Sequence, residues 1–196
     1  LVEVRPGVGT FVARLAETSV TDPLRLYLRR HRVGQASLFE VRGALEPAIA
    51  AAASRSATDA QLSAMAANLE RTFALVDATD RDEGAVEAFA WADLEFHQLL
   101  AAASGNPLFE LLLAPLIDRL LDVRRRGARL PGTARRAAEG HRAIFDAVAA
   151  RDPALAAGRM TDHLNDVQRW LVREPAPPAA PTPDAGRTRA HPEEAR

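Results

Sequence analysis

Asp93 and His97 stand four apart in the run Asp93-Leu94-Glu95-Phe96-His97. On a helix that spacing sets both side chains on one face, one turn apart. Val86, Phe89, Leu100 and Ala101 share the face, so it points toward a core. His141 falls on a second apolar stripe with Ala138, Ile144, Phe145 and Val148. His163 falls on a third with Ala156, Met160, Val167 and Trp170. One carboxylate and three of the chain's five histidines thus occupy core-facing positions. Burying such groups without partners is costly. A divalent cation held by three imidazole nitrogens and one carboxylate oxygen satisfies all four at once. That donor set suits Zn, Ni or Mn, with bonds of about 2.0–2.2 Å for zinc. The same residues admit a plainer reading. Each histidine is then a core side chain hydrogen-bonded to a neighbour, and Asp93 orients His97 or neutralises an arginine. Spacing leaves both open, because it does not show that positions so far apart in sequence converge.

The elements that must position these groups are helical. Thr21 or Asp22 can cap a short helix from Pro23 to about Arg30, and Ser37 one to about Arg55. Pro47 lies inside the second and is expected to kink or divide it. Thr58 and Gln61 form a capping box for a helix to about Ala78. The helix of Asp93 and His97 spans about 82–103. Asn106-Pro107 opens one to about Arg126, Thr133 one to Ala150, and Asp152-Pro153 one to about Val172. Short connections between them predict an all-α antiparallel bundle of about seven helices over 21–172. Ahead of it, Leu1-Val2-Glu3-Val4, a Pro-Gly turn and Thr10-Phe11-Val12 read as a short β-hairpin. A lone hairpin needs a body to pack on. Residues 173–196 are rich in Pro and Ala without periodic hydrophobics, which predicts a disordered tail.

Composition narrows the function. The 196 residues are 47% hydrophobic, enough for one domain with a sizeable core. A formal charge of -1 supplies no general field for nucleic acid, so any DNA contact must be local. The absence of cysteine excludes disulfides, thiolate metal sites and cysteine nucleophiles. It agrees with a cytoplasmic setting. No apolar run approaches the length of a membrane span or a signal peptide. The chain opens on Leu1 rather than methionine, as expected of a fragment.

Arg5-Pro6-Gly7-Val8-Gly9-Thr10-Phe11-Val12 resembles the terminal wing hairpin of GntR-type winged-helix regulators. Leu38-Phe39-Glu40-Val41-Arg42, with Leu45-Glu46 and an alanine run, resembles the opening of the FadR-type effector domain called FCD. Asp93 with His97, then His141-Arg-Ala-Ile, Asp152-Pro and Met160-x-x-His163-Leu164 follow that domain's later landmarks in order. The resemblance runs from Leu1 to about Leu171. It implies a bundle that forms homodimers and binds a divalent metal through Asp93, His97, His141 and His163. It further implies sensing of a small carboxylate, such as a sugar acid or hydroxy acid, which completes the metal shell. Residues 1–14 would then be a remnant of the winged helix, with Arg5, Gly7 and Gly9 as its DNA-binding candidates. Without a recognition helix, this chain is not expected to bind operator DNA specifically; that needs the complete winged-helix domain.

Arg42 and Glu46 are four apart, which fits an ordinary helix salt pair worth a few tenths of a kcal/mol. The alternative sets Arg42 in the cavity as the partner of an effector carboxylate. Arg124-Arg125-Arg126 reads as a solvated helix end. A regulator domain competes with a metal-dependent hydrolase or lyase on a helical bundle, since such a metal can activate water. No separate general base is apparent, and an enzyme would leave the wing-like segment unexplained.

Overall fold

The structure, a computed structural model, describes residues 2–12, 18–80 and 82–173. The predicted tail from 174 onward lies outside the described residues, as do Leu1 and 13–17. Two short strands come first, β1 (Val2–Arg5) and β2 (Gly9–Val12). They pair antiparallel, Val2 opposite Val12 and Arg5 opposite Gly9. Gly7 (φ 76°) and Gly9 (φ 134°) hold positive φ at the turn, a conformation that favours glycine.

Everything else is helix: α1 (Thr18–Arg30), α2 (Gln35–Ser56), α3 (Asp59–Val76), α4 (Glu83–Ala103), α5 (Pro107–Asp118), α6 (Leu121–Ala128), α7 (Thr133–Ala149) and α8 (Pro153–Arg173). These are eight helices among the described residues, against the seven expected. The segment from Pro107 to Arg126 is two helices, parted at Arg119 and Leu120. Leu120 leaves helical geometry (φ -99°, ψ 1°) with its side chain fully buried beside Leu28, Leu38 and Val167. The break turns α6 so that its own face meets the core.

Local signals fixed several boundaries. Thr58 and Gln61 form the capping box of α3, Asp82 caps α4 and Asn106 caps α5 ahead of Pro107. Asp152 Oδ1 accepts from the Leu155 N–H at the start of α8. Three expectations need correction. Ser37 is not a cap, because α2 already begins at Gln35. Helix α1 begins at Thr18 and runs through Pro23, and the Thr21 hydroxyl accepts from Arg25 instead of capping. Pro47 does not divide α2. Leu38 and Phe39 on one side of it and Ile49, Ala50 and Ala53 on the other are all buried, so tertiary packing overrides the lost hydrogen bond.

The main core joins α2, α3, α4, α7 and α8 through Ile49, Leu69, Phe96, Leu100, Ile144 and Met160. Ala50, Ala53, Ala101, Ala147 and Ala156 are buried between the same helices, and these small side chains let the backbones approach closely. Truncating one large member such as Leu100 to alanine is expected to cost about 2–5 kcal/mol. Helix α2 lies along α8, α7 lies against α8, and α3 packs on α4. The histidine-bearing helices therefore meet at the middle of the bundle.

Candidate metal centre

Helix α4 carries Asp93 and His97, α7 carries His141 and α8 carries His163. All four side chains are buried. The three imidazoles converge, each offering one ring nitrogen so that these atoms lie within 4.8 Å of one another. Ring centroids are 5.0 Å apart for His97–His141, 4.6 Å for His141–His163 and 5.5 Å for His97–His163. Phe96 stacks on His141 at 4.3 Å and walls the site on one side. Gly140 makes the approach of α7 to α8 feasible: a Cβ there would meet His163 Nδ1 at 2.7 Å.

Asp93 sits at the edge of this group. Its Oδ1 is 3.6 Å from His141 Nε2, and its Oδ2 is 2.6 Å from Arg124 Nε. The arginine contact is close but poorly aligned, so neither atom counts as hydrogen-bonded. The carboxylate thus faces the histidines and also neutralises an arginine, which joins elements of both sequence readings.

Arg42 and Glu46 require a correction. They do form a pair, but not on a solvated face, since both are essentially inaccessible. Glu46 Oε2 lies 2.6 Å from His97 Nδ1. Arg42 Nη2 lies 3.3 Å from His97 Nε2, and the guanidinium lies 5.3 Å from the Phe39 ring. A carboxylate at Nδ1 favours the tautomer protonated there and leaves Nε2 with its lone pair. The signal was present in the spacing: Leu38, Arg42, Glu46, Ile49 and Ala53 follow one another at helical intervals on one stripe.

Arg124 also departs from expectation. It is only 4% exposed, whereas Arg125 next to it is partly exposed and pairs with Glu87 and Asp122. Because α6 restarts after Leu120, Arg124 falls on the inward face with Val123, Gly127 and Ala128. Arg5, Gly7 and Gly9 lie on the hairpin, away in sequence from this centre.

Burial dominates the electrostatics. It pushes His141 down to about 3, with Asp93 only partly opposing, and holds His163 well below the ordinary value. Burial also lowers His97, against the pull of Glu46. All three are therefore neutral imidazoles near neutral pH, the form that ligates metal. Burial pushes the carboxyls of Glu46 and Asp93 upward, yet the nearby guanidiniums of Arg42 and Arg124 and the histidines outweigh it, so both remain ionised. Two guanidiniums and two carboxylates balance.

The donor set fits a divalent ion. Both ring nitrogens of His141, Nε2 of His163 and both oxygens of Asp93 are buried without a hydrogen-bond partner. Buried polar atoms are rarely left so. Imidazole nitrogens converging at one place, with a carboxylate oxygen 3.6 Å from one of them, are donors that a borderline cation takes.

The described helices form a bundle around a buried cluster of three histidines. Residues 37–166 match the FCD domain family, and the chain belongs to that family. Its relatives include HTH-type transcriptional regulators and repressors. The chain is 31% identical over 180 residues to the HTH-type transcriptional regulator LutR of Bacillus subtilis, covering 87% of this chain and 77% of that one. It is 34% identical over 172 residues to the HTH-type transcriptional repressor NanR of Edwardsiella tarda, covering 85% and 64%. Among solved structures, a GntR protein of Streptococcus agalactiae is similar with a TM-score of 0.63 and 30% identity, over 86% of this chain and 74% of that one. The chain thus corresponds to an effector domain of a GntR-family transcription regulator and spans only about two thirds of the NanR relatives. These relatives are regulators, not enzymes, and the hydrolase or lyase alternative gains no support. No helix among the described residues is long and apolar enough to cross a membrane.

Proposed function

We propose that this domain senses a small carboxylate through a divalent metal held by Asp93, His97, His141 and His163. The observation that carries the reading is the convergence of three neutral, buried imidazoles, of which His141 and His163 keep ring nitrogens without a hydrogen-bond partner. When bound, an ion such as Zn, Ni or Mn supplies a net positive charge and open positions for oxygen ligands. The chain's own residues do the rest. Glu46 fixes the tautomer of His97, Phe96 holds the plane of His141, and Gly140 lets His163 close on the site. Arg42 adds positive charge beside His97 on the side of α2. The apolar helices around the centre exclude water, which strengthens every charge inside.

In this reading a homodimer transmits occupancy to paired winged helices on operator DNA in the cytoplasm. The hairpin β1–β2 is then the wing left from such a domain. Arg5 supplies a phosphate or minor-groove contact, and Gly7 and Gly9 supply the tight turn. Calorimetric titration with a panel of hydroxy acids and sugar acids tests the sensing role. Metal-loaded protein should bind at least one of them, and metal-free protein none. Equal affinity in the two forms would remove the metal from the mechanism.

A further inference from the structure

Arg124 is a buried guanidinium whose one ion-pair partner among the described residues is Asp93. Of the two donors of one guanidinium edge, Nη2 has no hydrogen-bond partner and Nε meets only Asp93 Oδ2, at 2.6 Å without hydrogen-bond alignment. Asp93 and Arg124 together line a recess closed by Phe89, Thr133 and Trp170, with a volume of about 10 Å³. That is room for about one water molecule. Trp170 is partly exposed and lies over Gly127, where a Cβ would meet the indole at 2.6 Å. A second small recess on the Trp170 side reaches His163. Both recesses lie beside α7 and the end of α8, and Trp170 lines each of them.

Charge balance gives this arrangement a consequence. With Asp93 committed to a metal ion, Arg124 loses its counter-charge while remaining buried, and a second positive centre stands beside it. A buried, uncompensated cation demands an anion. Resting on the metal reading above, we propose that Arg124 is the anchor for the effector's carboxylate, and that metal and carboxylate bind with positive, reciprocal coupling through it. The edge formed by Nε and Nη2, once Asp93 turns from Nε to the metal, matches the two oxygens of a carboxylate. A carboxylate needs more room than one water, so Trp170 moves outward as it enters. Arg42 lacks these features. Its Nε stays hydrogen-bonded to Glu46, which is not among the proposed ligands, and it does not line the recess.

The test is titration of the full chain with Ni²⁺ in sodium acetate and in sodium chloride of equal ionic strength. Wild type should bind Ni²⁺ about tenfold more tightly in acetate, a typical coupling. Arg124→Gln removes both a competitor for Asp93 and a repelling charge. It should bind Ni²⁺ in chloride at least as tightly as wild type, and acetate should then improve binding by less than about threefold, below the usual range of such coupling. Arg124→Lys, which keeps the charge, should retain part of the acetate effect. If wild type binds Ni²⁺ but ignores acetate, or Arg124→Gln keeps the full effect, the role of Arg124 is overturned and the metal reading stands. If wild type takes up no Ni²⁺, the metal reading falls and this inference with it.

Discussion

Gly140→Ala is the most incisive single-atom perturbation of the site. The added Cβ would lie 2.7 Å from His163 Nδ1, where ordinary contact begins at 3.4 Å. Either α7 and α8 separate or the imidazole moves, by about 0.7 Å in the direct line. Overpacking of this kind costs about 1–3 kcal/mol, while alanine in place of glycine inside a helix returns about 1 kcal/mol. The metal-free variant should therefore lie between neutral and about 2 kcal/mol less stable than wild type. Gly158→Ala on the exposed side of α8 is the matched control, because nothing lies within 4 Å of its Cβ. It should gain about 1 kcal/mol from propensity alone. The two variants then differ by about 1–3 kcal/mol, several degrees in Tm for a chain of this size. Metal binding should separate them further. Ligand distances tolerate only about 0.2 Å, so displacing His163 should weaken Zn²⁺ by at least about tenfold. Gly158→Ala should leave Zn²⁺ affinity unchanged. Urea unfolding and calorimetry read both quantities. Equal stability and equal Zn²⁺ affinity in the two variants would refute the claim that α7 and α8 are held close to build the site.

Acid should destabilise the metal-free protein. Buried His97, His141 and His163 stay unprotonated when folded, His141 down to about 3, while the unfolded chain takes up protons from about 6.5 downward. Stability is thus fully present above that value and falls as pH drops, by up to about 1.4 kcal/mol per pH unit for each histidine; urea melts at pH 7.5 and 5.5 check this, and a flat or opposite trend would contradict it. Arg42→Ala leaves Glu46 as a buried unpaired charge and should cost about 3–5 kcal/mol, far more than a surface salt pair, as measured by the same melts. A cost under 1 kcal/mol would show that the pair is solvated. In solution the chain should be a dimer by light scattering and should show no sequence-selective gel shift with its upstream DNA, whereas tight selective binding would mean that the N-terminal segment has been misread.

The boundaries of α3, α4 and α8 and the start of α5 were legible because caps and prolines act within a few residues, whereas the end of α5 was not. So was the inward direction of Asp93, His97, His141 and His163, which follows from helical periodicity on apolar stripes. Convergence was not legible, since it depends on how α4, α7 and α8 pack. The burial of Arg42 with Glu46 was obscured by their i,i+4 spacing, which fits a surface pair equally well. Arg124 was hidden for a different reason. Three consecutive arginines suggest a solvated end, and only the break at Leu120, a tertiary packing effect, rotates the first of them inward.

The central claim is a metal centre built from three imidazoles and a carboxylate. X-ray absorption at the zinc edge of the stoichiometrically loaded chain tests it most directly. The expected result is about three nitrogen scatterers near 2.0–2.1 Å with the outer-shell pattern of imidazole, completed by oxygen. An all-oxygen shell without imidazole scattering, or loading that survives replacement of His141 and His163 together, would contradict it.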